Sequence, residues 1–251
     1  QEIIEKELEL KKWLHPYIGA DEFIKGKKRW CLWLKHTSPK DIMNSKILSE
    51  KVEAVRQFRL SSKAKTTNGY AKVPQLFAQI TQPDDTDFLI IPSVSSERRR
   101  YVPIGFATSD IISSNAVQIV PNATLYHFGV LTSNVHMAWM RIVCGRLKSD
   151  YRYSKEIVYN TFPWPNPTDA QKTKIEQTAQ AILDARAQYP DCSLADMYGE
   201  KMYLFPELLK AHQNNDRAVM QAYSFSVKDM TESQCVAELM KMYQELMKNG
   251  K

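Results

Sequence analysis

The spacing of apolar positions divides the chain into a front part of short mixed elements and a back part of amphipathic helices. Over residues 2–14, Ile4, Leu8 and Leu14 fall on one face with Glu and Lys between them, which predicts a helix ended by Pro16 and Gly19. Arg29–Leu34 (RWCLWL) is aromatic-rich and predicts a strand. Ser38-Pro39-Lys40-Asp41 combines a capping residue, a proline at the first helical position and an acid three residues on. Helical spacing follows over 42–60, with Ser45 able to break it. Residues 61–72 are polar and turn-like, and Asn68-Gly69 is a hairpin signal. Short strands are predicted at Gln75–Ile80, Asp87–Pro92, Arg100–Ala107 and Ala116–Val120, with Leu125–Leu131 a further candidate. Ser133 can cap a helix over 134–144 that Gly145 closes, and the stretch from Lys148 to Pro165 reads as partly extended.

Behind this, Asp169–Tyr189 is strongly periodic, with Ile175, Ala179, Ile182, Leu183 and Arg186 at helical spacing. Short helices are predicted at Leu194–Tyr198 and Pro206–Ala211, then Asp216–Tyr223 and Glu232–Met247. The pattern predicts an α+β fold: a mixed, mainly antiparallel sheet with helices over 1–165, followed by a small all-α domain over 166–251. The junction is set at Phe162–Asp169, where Pro163, Pro165 and Pro167 restrict the backbone and Thr168 can cap the next helix. The chain opens at Gln1 on what reads as the middle of a helix, so it is expected to be part of a longer protein.

Charge sharpens this division. Residues 1–165 hold 24 Lys and Arg against 16 Asp and Glu, whereas residues 166–251 hold 10 against 12. A basic front beside a mildly acidic back points to a polyanionic partner for the front, although a solvated basic surface is the plainer alternative. With 43% hydrophobic and 25% charged residues, the composition is that of a globular domain rather than a disordered chain. No apolar run is long enough for a membrane span, and no signal peptide is seen. Cys31, Cys144, Cys192 and Cys235 form no C-x-x-C pair, so reduced thiols in a cytoplasmic protein are expected.

Catalytic patterns are missing. There is no G-x-G-x-x-G, no phosphate-binding G-x-x-x-x-G-K-[ST], no H-E-x-x-H and no G-x-S-x-G. Asp84-Asp85-Thr86-Asp87 lacks the central Gly and distal Glu of a calcium loop, so no metal site is expected. His127 and His136 read as core or helix-face residues.

What remains is a set of basic clusters on predicted loops and element ends. Lys25, Lys27, Lys28 and Arg29 precede a strand. Ser95, Arg98, Arg99 and Arg100 lie between two strands. Arg146, Lys148, Arg152, Tyr153, Ser154 and Lys155 follow a helix, and Lys63, Lys65 and Lys72 form a weaker group. Lys and Arg neutralise phosphates, Arg can fork onto guanine, and Ser and Tyr hydroxyls position on phosphate oxygens, so the chemistry suits double-stranded DNA. Were 98–101 extended, Arg98 and Arg100 would share a face and Arg99 would take the other, and Glu97 is an available internal partner for each. Single-stranded RNA would instead need exposed aromatic platforms such as Trp30, Trp33, Tyr151 or Tyr153.

Four long stretches carry a resemblance: LHPYIGADEFIKGKKRWCLWL (14–34), SSERRRYVPIGF (95–106), LYHFGVLTSNVHMAWMRIVCGRLKSDYRYSKEIVYNTFPWP (125–165) and LLKAHQNNDRAVMQAY (208–223). They resemble the C-terminal region of MmeI-like restriction–modification enzymes and related adenine-specific DNA methyltransferases. The resemblance implies that residues 1–165 are a target recognition domain and 166–251 the helical domain that follows. It further implies an S-adenosylmethionine-binding methyltransferase core as covalent partner, with its glycine-rich motif and N-P-P-Y-type loop outside these residues. Asn166-Pro167-Thr168 lacks the second proline and the aromatic of that loop. The fragment is therefore expected to bind DNA without catalysing methyl transfer itself. The alternative is a protein-interaction piece whose Met- and Tyr-rich helices dock the core.

Overall fold

The computed structural model describes residues 8–249. They form two compact units, one made of residues 8–17, 29–84 and 110–112, the other of 18–28, 85–109 and 113–249.

The first unit is small. Its sheet runs in the order Trp30–Leu32, Leu14–Ile18, Ile112–Ser113, with Leu14 opposite Leu32 and Pro16 opposite Trp30. The helix expected over 2–14 falls partly on residues 2–7, which lie outside the described residues. Leu8–Trp13 is a 3-10 helix and Leu14 already belongs to the strand. Pro16 explains the change, because the residue before a proline is pushed toward extended geometry. The break at Ser45 is real: Pro39–Asn44 and Lys46–Leu60 are separate helices, capped by the Ser38 and Ser45 hydroxyls. Leu10, Leu34 and Leu48 form the buried centre, with Trp13, Ile42 and Val52 packed around them.

Two expectations in this unit are corrected. Asn68-Gly69 makes no hairpin but lies in a short helix, Lys65–Gly69, where the Asn68 amide donates to the Leu60 carbonyl at 2.9 Å. Gln75–Ile80 is not a strand. The Arg59 guanidinium donates to the carbonyls of Tyr70, Val73 and Leu76 at 2.9, 3.0 and 2.7 Å, so a side chain takes bonds a neighbouring strand would otherwise supply.

The second unit holds the main core. Phe88–Pro92, buried throughout, is the central strand between Gly105–Ala107 and Val117–Pro121, antiparallel to both. An unbroken apolar run suits a strand covered on both faces. Only the end of the predicted Arg100–Ala107 strand pairs; residues 101–104 are buried in irregular backbone. A second sheet orders Val94–Ser95, Asp150–Arg152 and Gly145–Leu147. Asn134–Val143 is a helix capped by Ser133, and Lys155–Tyr159 is one turn of π-helix.

Leu125–Leu131, expected as a strand, is a helix that Thr124 and His127 cap reciprocally. Its short apolar run fits either state by pattern alone. Packing decides: Gly129 sits against Ile175, Ala179 and Asn215 of neighbouring helices. The helix Asp169–Ala187 follows, capped by Thr168 and Gln171. Pro206–Ala222 is a single helix rather than two, because His212, Asn215 and Asp216 are buried against distant partners while Gln213 and Asn214 turn outward on the same helix. Glu232–Asn249 is the last helix.

One hydrophobic core runs from Leu89 to Leu239 and includes both sides of the proline-rich segment. Phe162 stands edge-on to His136 at 4.5 Å, and the Pro163 carbonyl accepts from the Tyr223 hydroxyl at 2.8 Å. No helix among the described residues is long and apolar enough to cross a membrane, and the four cysteines are free.

Gly129 is where this packing is least tolerant. An added Cβ would stand 2.6 Å from Ile175 Cγ2 and 3.1 Å from Ala179 Cβ. Gly129→Ala is expected to lower stability by about 1–3 kcal/mol despite its better helix propensity, read as a fall in urea midpoint. An unchanged midpoint would show that the helices separate freely.

Candidate nucleic-acid interface

The second sheet brings two distant basic clusters together. Val94 lies opposite Arg152 and Ser95 opposite Tyr151; on the other edge Gly145 faces Arg152 and Arg146 faces Tyr151. Directly paired residues point to the same side. Ser95 and Tyr151 are buried, so their side faces the core, and Arg152 points the opposite way, exposed. Its cross-strand neighbour Gly145 has no side chain, which leaves the guanidinium uncovered on that edge. Lys148 sits at the hairpin turn, exposed, with φ of 56°. Neither Lys148 nor Arg152 takes part in an ion pair among the described residues.

Arg146 is different. Its guanidinium lies over the Tyr151 ring at 4.1 Å, donates to the Ser149 carbonyl at 2.8 Å and meets Glu97 at 3.6 Å. Glu97 thus pairs with the hairpin rather than with its own neighbours Arg98–Arg100. That contact ties the turn at 97–98 to the hairpin. Arg98 and Arg100 are exposed while Arg99 is half-buried, and the cause is this turn, not strand alternation. Arg98 reaches Glu200 at 3.1 Å in a pair open to water, which is worth little. Arg99 leans on Ser95 Oγ at 3.5 Å; burial lowers its pKa and Asp150 partly offsets this.

The remaining expected residues divide by surroundings. Tyr153 is buried against His136, with its hydroxyl 3.1 Å from Nε2, so it belongs to the core. Ser95 is buried too, and Ser154 uses its oxygen to cap the π-turn at Ile157 N. Lys155 is exposed, 3.7 Å from Glu156. Lys25 and Lys27 share Asp21, at 2.7 and 3.0 Å, and hold its carboxyl below the usual range; Lys28 is exposed beside them. In the first unit Arg29 lies 4.8 Å over the Tyr17 ring, and Lys63, Lys65 and Lys72 are exposed.

A buried polar network that the sequence did not reveal lies behind the arginine turn. Tyr101 donates to Asp216 Oδ2 at 2.6 Å, and the Asn134 backbone N–H donates to Oδ1 at 2.8 Å. The Tyr101 ring stacks on His212 at 4.2 Å. Arg186 donates through Nε to the Tyr198 hydroxyl at 2.7 Å and through Nη1 to the Ile104 carbonyl at 2.7 Å. Because Arg186 can only donate, the Tyr198 hydroxyl is left to donate its own hydrogen to His212 Nε2, 2.7 Å away. The neutral His212 ring then carries its proton on Nδ1, which has no partner. Arg141 donates to the Arg100 carbonyl at 2.8 Å and to Glu232 at 3.1 Å. Of these groups only Arg186 left a trace in the sequence, as a charge placed on an apolar helical stripe.

Open cations carried on a packed core suit contact with an anionic partner. The chain belongs to the MmeI family: residues 1–166 match the MmeI target recognition domain and residues 167–249 the MmeI C-terminal domain. It is similar to DNA methyltransferase A of Bacillus subtilis (strain 168), 37% identical over 243 residues, covering 97% of this chain and 27% of that protein. Among solved structures it is similar to the Type IIL restriction-modification enzyme MmeI in complex with DNA, with 44% identity and a TM-score of 0.93. That match covers 98% of this chain and 33% of the MmeI chain. The chain therefore spans about a quarter to a third of the length of these relatives.

The buried titratable groups predict an acid-labile fold. Burial lowers the His136 pKa from 6.5 to about 3 and puts His212 well below 6.5. Both groups bind fewer protons folded than unfolded, so their contribution is present above pH 6.5 and is lost as pH falls. Asp216 opposes them: burial raises it from 3.8 to about 6, so its share is lost as pH rises through that window. Two histidines outweigh one carboxyl, and unfolding free energy is expected to rise between pH 4 and 7. In His136→Gln the slope should flatten by up to about 1.4 kcal/mol per pH unit. Urea titrations at a series of pH values measure it; an identical slope in the variant would put the histidine outside the linkage.

Proposed function

We propose that this region reads a short base sequence in duplex DNA for an S-adenosylmethionine-dependent, adenine-N6 DNA methyltransferase of the restriction–modification type, and does no chemistry itself. The observation that carries this reading is the strand register Val94 to Arg152 and Ser95 to Tyr151, which sets the segment leading into Arg98–Arg100 beside the Arg146–Arg152 hairpin. Membership of the MmeI recognition family, and the solution of MmeI itself with DNA, support it.

The chemistry divides between register and readout. Lys148, Lys155 and Arg98 suit phosphate oxygens, where neutralisation releases counterions without regard to sequence. Arg152 and Arg100 present forked donors that suit guanine O6 and N7 in the major groove. Arg146, held by ring, carbonyl and acid, offers an aimed rather than a mobile charge. In the first unit Lys63, Lys65 and Lys72, with Arg29, add phosphate contacts, as do Lys25, Lys27 and Lys28 of the second. Ser95, Arg99, Tyr153 and Ser154 serve by supporting the sheet and turn. Cofactor and extruded adenine belong to the covalently linked core, which this region aligns on its site. Such a protein works in the cytoplasm, where its DNA substrate lies.

The test uses the full natural chain and a randomised duplex library. Arg152→Ala is expected to relax preference at one or two positions, by about 1–3 kcal/mol of discrimination. Lys148→Ala is expected to weaken all duplexes alike and to reduce the slope of log affinity against log salt by about 1. Equal affinity for single strands and duplex at matched salt, or no effect of either variant, would overturn the reading.

A further inference from the structure

The turn that carries Arg98 and Arg100 is fixed from behind by residues of the C-terminal helices. Tyr101 is 1% exposed and Asp216 5%, so their 2.6 Å bond is made without competing water. The second carboxylate oxygen is held by the Asn134 backbone N–H, which fixes the carboxylate plane. His212 stacks flat on the tyrosine ring and fixes its tilt. Three residues further on, Arg186 holds the Ile104 carbonyl; one residue earlier, Arg141 holds that of Arg100. Arg100 lies over the Tyr101 ring at 5.4 Å and within electrostatic reach of Asp216. The backbone from Arg100 to Ile104 makes no strand pairing of its own, so these side-chain bonds replace a sheet as the source of its geometry.

We infer that Asp216 is a positioning residue for base reading: through Tyr101 it sets the path of the backbone from which Arg100 projects as the forked donor to a base, with Arg98 beside it on phosphate. This rests on the reading above, that the arginine turn meets DNA. A base contact through a forked guanidinium depends on the direction of the fork, whereas a phosphate contact tolerates drift. Loosening the anchor therefore degrades selectivity while leaving the general attraction to DNA in place.

Tyr101→Phe keeps the ring stack and removes the hydroxyl; Asp216→Asn keeps an acceptor for the Asn134 backbone N–H. Both are made in the full natural chain, alone and together, and compared with Arg98→Ala and Arg100→Ala on the randomised duplex library, well below the unfolding temperature of every variant. The expected result is a roughly ten-fold fall in the ratio of selected to random duplex affinity, within the range of one forked Arg–base contact. The double variant should fall no further than either single one, and the salt slope for random duplex should stay unchanged. Lowered melting temperature with undiminished selectivity in both Tyr101→Phe and Asp216→Asn overturns the inference and makes the pair purely structural. If Arg98→Ala and Arg100→Ala themselves leave affinity and selectivity untouched, the turn does not read DNA, and the underlying assignment falls with the inference.

Discussion

Asp216 is a carboxylate placed where water barely reaches, in a helix otherwise packed into a hydrophobic core. Burial of such a group is tolerated only when its oxygens are satisfied, and an unmet partner costs about 1–3 kcal/mol or more. Here the two donors are a tyrosine hydroxyl and a helix-start backbone amide, and both come from the part of the chain that precedes the proline-rich segment. The requirement to satisfy one acid thus fixes the entry of the Asn134–Val143 helix and the exit of the arginine turn at the same point. Burial also raises the pKa of that acid, so the bond network, not intrinsic acidity, keeps the site in order near neutral pH.

The basic residues of the second unit fall into two populations. Arg141 and Arg186 are committed inward to backbone carbonyls and a tyrosine hydroxyl, where five fixed donors suit the irregular backbone they face. Arg152 and Lys148 are committed to nothing within the described residues, and Arg98 and Arg146 to acids at the surface. Charge counts merge these populations. The excess of positive charge on the front part therefore overstates what is open to a ligand, and Arg186 of the back part belongs to the scaffold.

Local chemistry was the most legible part of the fold. Ser38, Ser133 and Thr168 announce helix starts, and each caps one, because capping depends on a few adjacent atoms. The Leu125–Leu131 segment was not legible as a helix, since its state depends on Gly129 meeting Ile175 some 46 residues away. The single long helix Pro206–Ala222 was obscured by His212, Asn215 and Asp216, which look like surface until their distant partners are known. At the site, both arginine-rich clusters stood out as clusters. Their meeting did not, because the pairing of Val94–Ser95 with Asp150–Arg152 uses too few residues to leave a periodic trace.

That same pairing, with its anchors behind it, bears on how such a surface can diversify. Arg98 and Arg100 lie on a stretch barely a dozen residues long, yet the groups that steer it come from 134, 141, 186, 212 and 216. A graft of the short stretch between cousins would move the guanidiniums and leave their hinges behind. New preferences would then arise more readily by exchange at Arg152, whose aim is set by two adjacent strands alone, than by exchange in the turn. Evolvability on this surface would differ from residue to residue, highest where the support is local.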